Sequence, residues 1–471
     1  MSGLSRLMGK CVSGVSVTPK MVRNGAFLAS TTLILSYAMW DHKTVSCEGV
    51  KGIRQYSSKP QEREGVSSTI SLLSEREVTQ RLRQMDQSYF VQRGRGVVRY
   101  DTAQLPSNAP IEDTHVEQVI TVPGAPHSSD EDLYFFGIFD GHSGPYTSSK
   151  LSQVLVPYVA HQLGQVYSNE EASSEAINRA IVSAFVTLDR DLVLGSLGTL
   201  FKDPTKPNLI NAMPAISGSC ALLTMFDSAT STVKCAVTGD SRALLGSLDG
   251  QGVWSIKPLS IDQTGDSPLE VERIRNEHPG EPGAVRNGRI LGSLQPSRAF
   301  GDYRYKVKEI AGKTVKDLPD HLRVYFRREP RDLKTPPYVT AEPVITTTPI
   351  DANAKFMVLA SDGLFELLDN EEIKDLVVNW INRERGKSTT AKKSNCFLED
   401  KNAATHLIRN ALGAGGQRDY LSTLVSIPAP MSRKYRDDLT VTVVFFGQET
   451  TDAKGDLTLN LDATTAPKPK L

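Results

Sequence analysis

The stretch YFFGIFDGHSG, residues 134–144, decides how this chain folds. Tyr134, Phe135, Phe136, Ile138 and Phe139 form a short aromatic and β-branched run, the composition of a buried strand. The run stops at Asp140-Gly141-His142, and glycines on both sides of the histidine mark a tight turn. A carboxylate and an imidazole therefore stand where a buried strand emerges. A turn aspartate capping the next helix accounts for an isolated D-G-H. Here the punctuation recurs at Gly239-Asp240-Ser241, Ser361-Asp362-Gly363 and Arg436-Asp437-Asp438, and an acidic pair, Glu112-Asp113, lies upstream. Carboxylates converging on the ends of packed strands describe a hard-metal site.

Outward from this stretch, residues 116–122 (VEQVITV) read as a preceding strand. After it, Leu151, Val154, Leu155, Tyr158, Val159 and Leu163 recur at helical spacing, as do Ile177, Ile181, Phe185, Leu188 and Leu192. These are two amphipathic helices whose stripes are core. Residues 217–226 (SGSCALLTMF) and 232–238 (TVKCAVT) are strands joined by a turn, and another strand at 243–246 leads to the turn at 249–252. Residues 268–277 form a charged helix with Pro268 near its first turn. Residues 355–360 (KFMVLA) and 439–446 (LTVTVVFF) are buried strands, and 370–380 and 402–412 are helices. Ser74, three residues before Glu77, starts a capped helix. Elements come in pairs and not in strict alternation, which favours antiparallel sheets over a doubly wound parallel one.

With 471 residues the chain can hold one large catalytic domain with appendages, or two domains. Its 54 Lys and Arg balance 54 Asp and Glu, so bulk charge points to no nucleic-acid partner. Five scattered cysteines (Cys11, Cys47, Cys220, Cys235, Cys396) form no CxxC pair, a reduced-compartment pattern and not a disulfide framework or zinc site. Residues 1–40 contain no acid but hold Arg6, Lys10, Lys20 and Arg23, the composition of a mitochondrial presequence. Residues 24–40 are uncharged and mostly apolar, short of the about 20 residues a spanning helix needs. They read as an inner-membrane anchor, a sorting signal or part of a cleaved leader. Arg54-Gln55-Tyr56-Ser57-Ser58 resembles a matrix-processing site cleaved after Tyr56. The final Pro469-Lys470-Leu471 departs from the peroxisomal Ser-Lys-Leu address at its first position. The expected organisation is a presequence over 1–56 with a marginal membrane segment at 24–40, and a linker over 57–73. One catalytic domain follows over 74–447, with insertions near 303–336 (basic, polar and irregular) and 386–401, and then a polar, disordered tail over 448–471.

Aspartates, glutamates and a backbone carbonyl suit Mg²⁺ or Mn²⁺ and disfavour zinc. One carboxylate can bridge two such ions roughly 3.5–4 Å apart, and the pair can lower the pKa of a shared water. No serine or cysteine nucleophile is then required, and phosphoryl transfer or phosphoester hydrolysis is the usual chemistry. A serine or threonine alkoxide leaves poorly, so a general acid is needed; His142 is the well-placed histidine. His406, in a helix stripe, and His278, at a helix end, read as structural, and His115 is given no role.

Taken in order, E-D at 112–113, D-G-H-S-G at 140–144, S-G-S at 217–219, G-D-S-R at 239–242, S-R-A-F-G-D at 297–302, S-D-G at 361–363 and D-D-L-T-V at 437–441 resemble the PPM family of metal-dependent, type-2C protein serine/threonine phosphatases. The resemblance runs over roughly residues 105–446. Within that family, SNAPIED at 107–113, LEVERIRNEHP at 269–279, residues 289–302, TPPYVTAEP at 335–343, NAATHLIRNALG at 402–413 and YRDD at 435–438 look like the mitochondrial pyruvate dehydrogenase phosphatase branch.

The resemblance implies an α+β fold of two packed antiparallel β-sheets flanked by α-helices, an α-β-β-α sandwich. It implies two Mg²⁺ or Mn²⁺ ions with a weaker third. Asp140 would bridge the pair, the Gly141 carbonyl would bind one ion, and Asp362 and Asp437 would complete the other shell. Glu112 would hold water, supported by Asp113. Asp240 would join Asp362 at the third site, and His142 would be the general acid. The implied partner is a phosphoprotein, with the phosphoserine of the pyruvate dehydrogenase E1 α subunit as preferred substrate. The alternatives are an enzyme of the intermembrane space or peroxisome with other substrates, and a catalytically weak binding module.

Two positions depart from the wider family. Asn108 stands where most members carry an arginine that grips the substrate phosphate, leaving Arg298 and Arg436 as candidate sources of that charge. Glu366 stands where many have aspartate. The mitochondrial branch shares both departures.

Overall fold

The computed structural model describes residues 71–93, 95–120, 132–168, 172–386, 396–447 and 456–465. The leader, the apolar segment 24–40, the RQYSS site and most of the linker lie outside the described residues. Among the described residues no helix is long and apolar enough to cross a membrane.

Two antiparallel sheets make the centre. The smaller has five strands, in spatial order Val344–Pro349, Thr232–Thr238, Ala221–Asp227, Leu133–Phe139 and Thr114–Ile120. The larger has seven: Trp254–Pro258, Arg242–Leu248, Ala354–Ala360, Leu439–Gly447, Gly96–Leu105, Gln87–Val91 and Leu457–Leu459.

Period-two geometry explains why Leu133–Phe139 is apolar throughout. Leu133, Phe135 and Phe139 face the helices Tyr146–Ser168 and Ser174–Arg190. Tyr134, Phe136 and Ile138 face Met357, Leu359 and Val444 of the other sheet. On the far side, Phe356, Val358, Val441 and Val443 meet the helices Asn370–Glu384, Ala403–Leu412 and Arg418–Ser426. A strand covered on both faces needs no polar side. The result is four layers, helix, sheet, sheet, helix, as the resemblance implies. The first described helix, Glu75–Leu82, carries the expected Ser74–Glu77 capping box.

The structure departs from expectation in four places. The strand Gly96–Leu105 was not legible because Arg99, Asp101 and Gln104 break its apolar pattern. These groups are satisfied internally: Asp101 accepts from Arg99 Nε and from the Ala403 amide, both at 2.7 Å, and Gln104 donates to Thr440 at 3.1 Å. The helices Ser196–Lys202 and Lys206–Ile216 were masked by prolines at 204, 207 and 214. Pro207 lies in the first helical turn, where a missing N–H costs little. Residues 303–336 are not irregular throughout. Tyr303, Leu318 and Leu322 bury against Val193, Leu197 and Leu209, wide-spaced anchors with no period to read. In the tail, Leu457–Leu459 pairs with Gln87–Val91, so 456–465 is built into the larger sheet and is not disordered.

Candidate functional site

Strand register brings the acidic residues to one end of the sandwich. Thr114 pairs with Phe139, which sets Asp113 beside Asp140. Ala360 pairs with Val441, and the Ser361 amide donates to the Thr440 carbonyl at 3.1 Å, which sets Asp362 beside Asp437-Asp438. The Cys220 amide donates to the Asp140 carbonyl at 2.8 Å, and the Cys220 thiol to Asp240 at 3.0 Å, tying the third carboxylate in.

Asp140, Asp240 and Asp362 each offer a carboxylate oxygen, and the three atoms lie within 4.8 Å of one another. Burial, and then the charge of the neighbouring aspartates, pushes Asp140 and Asp362 far above the ordinary carboxylate range. Burial raises Asp240 as well. Three carboxylates this close cannot all ionise in a low dielectric without a cation between them. Asp362 Oδ1 is buried and has no hydrogen-bond partner among the described residues. Buried oxygens are normally satisfied, so this one fits a metal ligand. An all-oxygen donor set of this kind suits Mg²⁺ or Mn²⁺.

Gly141 is required by close approach: a Cβ there would run into the Glu112 carbonyl and the Ser148 hydroxyl. The Glu112 carboxylate accepts from the Gly144 amide at 2.6 Å and faces Asn108 Nδ2 at 3.5 Å. Asp113 is buried, accepts from the Thr440 hydroxyl at 2.8 Å, and is pushed up to about 8 by burial and by Asp438. Asp437 accepts from the Asp438 amide at 2.6 Å and is paired with Arg433. Glu366 lies at the exposed rim, its carboxyl raised by burial and Asp437.

His142 Nε2 meets Asp302 Oδ2 at 2.5 Å. Burial opposes charge on the imidazole; Asp302 outweighs it and holds the histidine above its ordinary pKa. The short strands Gly141–His142, Gly218–Ser219 and Phe300–Gly301 form the ribbon that makes this pairing. Asp302 lies in the quoted S-R-A-F-G-D segment, yet nothing in the sequence linked it to the histidine.

Asp438, to which the sequence assigns no role of its own, does different work from Asp437. It accepts from the Ser107, Asn108 and Glu112 amides at 2.5, 3.0 and 2.9 Å, and from the Ser107 hydroxyl and Asn108 Nδ2 at 3.0 and 3.2 Å. It fastens the loop that presents Glu112.

The two arginines considered for the phosphate are structural. Arg298 is buried with Nε and Nη2 on Glu270 and Nη1 on the Glu342 carbonyl. Arg436 is buried and donates to the carbonyls of Leu105, Pro106 and Asp437. His406 and His278 are buried in packed surroundings, and His115 pairs with Glu117 at 2.9 Å.

Residues 108–418 match the family model described as protein phosphatase 2C. The chain is 50% identical to the mitochondrial pyruvate dehydrogenase (acetyl-transferring) phosphatase 1 of Saccharomyces cerevisiae, over 94% of this chain and 89% of that one. It is 41% identical to a protein phosphatase 2C homolog of Schizosaccharomyces pombe, over 79% and 85% of the two chains. To the human mitochondrial pyruvate dehydrogenase phosphatase 1 it is 30% identical, over 76% and 79%. With the sandwich and its acidic end, these matches place the chain in the protein phosphatase 2C family, the metal-dependent protein serine/threonine phosphatases.

Proposed function

We propose that this phosphatase works in mitochondria, with Mg²⁺ or Mn²⁺, on the phosphoserine of the pyruvate dehydrogenase E1 α subunit. The observation that carries the chemistry is the Asp140, Asp240 and Asp362 cluster within 4.8 Å. The substrate rests on the names of the yeast and human relatives.

Asp140, the Gly141 carbonyl, Asp362 and Asp437 would hold two ions, and Asp240 with Asp362 a weaker third. When bound, such ions lower the pKa of a water and offset phosphate charge. Glu112, held by the Gly144 amide, orients water at the site, and its neighbour Asp113, held by the Thr440 hydroxyl, supports it. His142 gives a proton to the serine oxygen as the P–O bond breaks, so that an alcohol leaves and not an alkoxide. Asp302 fixes the imidazole for that transfer. The domain spans 74–447, preceded by a linker and by a presequence over 1–56 whose segment 24–40 would associate with the inner membrane.

The test is phosphate release by the purified chain from phosphorylated E1 α and from an unrelated phosphoprotein, each with Mg²⁺, Mn²⁺ or excess chelator. Metal-dependent release with preference for E1 α is expected. Metal-dependent release without preference removes the substrate assignment, and absence of the tagged protein from protease-treated intact mitochondria removes the location.

A further inference from the structure

The family's usual phosphate-binding arginine is absent, and Asn108 cannot replace it. Its side-chain amide is spent on Asp438 and Glu112. Arg298 and Arg436 are buried and spent on other partners. One guanidinium beside the cluster has a different setting. The Arg433 side chain is 47% exposed, and its only guanidinium partner among the described residues is Asp437. Its charge opposes the burial that raises Glu112 and Glu366 on the two sides of the site. Its position is fixed from behind. Ser432 is fully buried and donates through its hydroxyl to the Ser107 carbonyl at 3.0 Å, and the Arg433 amide donates to the Pro430 carbonyl at 3.2 Å. The one-turn helix Met431–Lys434 is thus clamped to the same loop that carries Asn108 and Glu112.

We propose that Arg433 binds the phosphate of the phosphoserine substrate in this chain, taking over the task of an arginine at position 108. A planar, permanently charged fork with most of its N–H groups free suits a phosphate dianion. Asp437, were it to ligate a cation, would share its charge with that ion and neutralise the guanidinium less. The inference rests on the phosphatase reading of the acidic cluster.

The test compares wild type, Arg433→Gln and Arg433→Lys at saturating Mg²⁺. Turnover of a phosphoserine peptide is measured alongside calorimetric binding of inorganic phosphate. In Arg433→Gln, kcat/KM falls by about 10- to 100-fold, mostly through KM, the loss of charge-assisted hydrogen bonds. Phosphate affinity falls by a similar factor, and Arg433→Lys recovers part of both. Phosphate binding in Arg433→Gln equal to wild type, with only the Mg²⁺ requirement altered, overturns the inference while wild-type turnover upholds the site. Wild-type phosphate binding that depends on Arg433 without any hydrolysis overturns the reading of the site and upholds the inference. Absence of phosphate binding by metal-loaded wild type overturns both.

Discussion

His142 Nε2 lies 2.5 Å from Asp302 Oδ2 across 160 positions of sequence. Asp302 reaches it from a left-handed backbone conformation, φ 50°, with its amide donating to the Ser217 carbonyl at 2.9 Å. Gly218 lies between the two, where a Cβ would collide with both side chains. The imidazole is therefore held in one orientation beside the acidic cluster.

Replacing Asp302 by Asn removes the charge that orients and sustains the imidazolium. Turnover of a phosphoserine peptide should fall by about 10- to 100-fold, the range for impaired general-acid catalysis. An aryl phosphate, whose phenolate leaves unaided, should lose much less. Steady-state rates on the two substrates check this; equal losses on both would remove His142 from leaving-group protonation.

Asp438→Ala orphans the donors of Ser107, Asn108 and Glu112 that the carboxylate now accepts. Bonds to a buried charge are individually strong, so the variant should lose on the order of 3–5 kcal/mol. Urea unfolding in chelator measures this apart from metal binding. A loss below about 1 kcal/mol would mean that the loop is held by something else.

Arg409 and Asp400, 1% and 2% exposed at the side chain, form a two-armed pair at 2.6 and 2.9 Å. Arg409→Leu leaves a buried carboxylate alone and should cost about 3–5 kcal/mol. Leucine at both positions should cost less than the single change, because the buried carboxylate is gone as well and Glu399, the other partner of Arg409, keeps Arg418. A double-mutant cycle on denaturation midpoints decides between these outcomes.

His406 is buried, pairs with the Leu376 carbonyl at 3.0 Å, and is lowered by burial to about 4. The unfolded chain takes up a proton near pH 6.5 that the folded one refuses until about pH 4. Stability is therefore present above pH 6.5 and lost as pH falls from 6.5 to 4, by about 3 kcal/mol. His406→Gln should be less stable at pH 7.5 yet lose less over that window, measured by denaturant unfolding at each pH. Parallel curves for the two proteins would contradict it.

Much of the architecture was legible where local chemistry and tertiary burial agree. The apolar run ending at Asp140 shows its strand and its turn together, and Ser74 with Glu77 marks its helix. Repeated aspartates after strands pointed to a common edge, and register brings Asp140, Asp240 and Asp362 there. What stayed hidden depends on pairing across distance. Gly96–Leu105 carries internal charge that partners such as the Ala403 amide and Arg99 make tolerable. Asp437 and Asp438 are chemically identical neighbours, and alternate pointing along one strand start divides their work. Arg433 has no motif value until its one-turn helix is seen docked on the Ser107 loop.

If the clustered aspartates hold the ions on which phosphate release depends, losing either the ions or one carboxylate abolishes it. Release from a phosphoserine peptide by wild type and Asp140→Asn, each with Mg²⁺, Mn²⁺ or excess chelator, tests it most directly. Wild type should release phosphate with either metal, and release should stay at background in chelator and from Asp140→Asn under every condition. Release that survives chelation, or that Asp140→Asn matches, would contradict it.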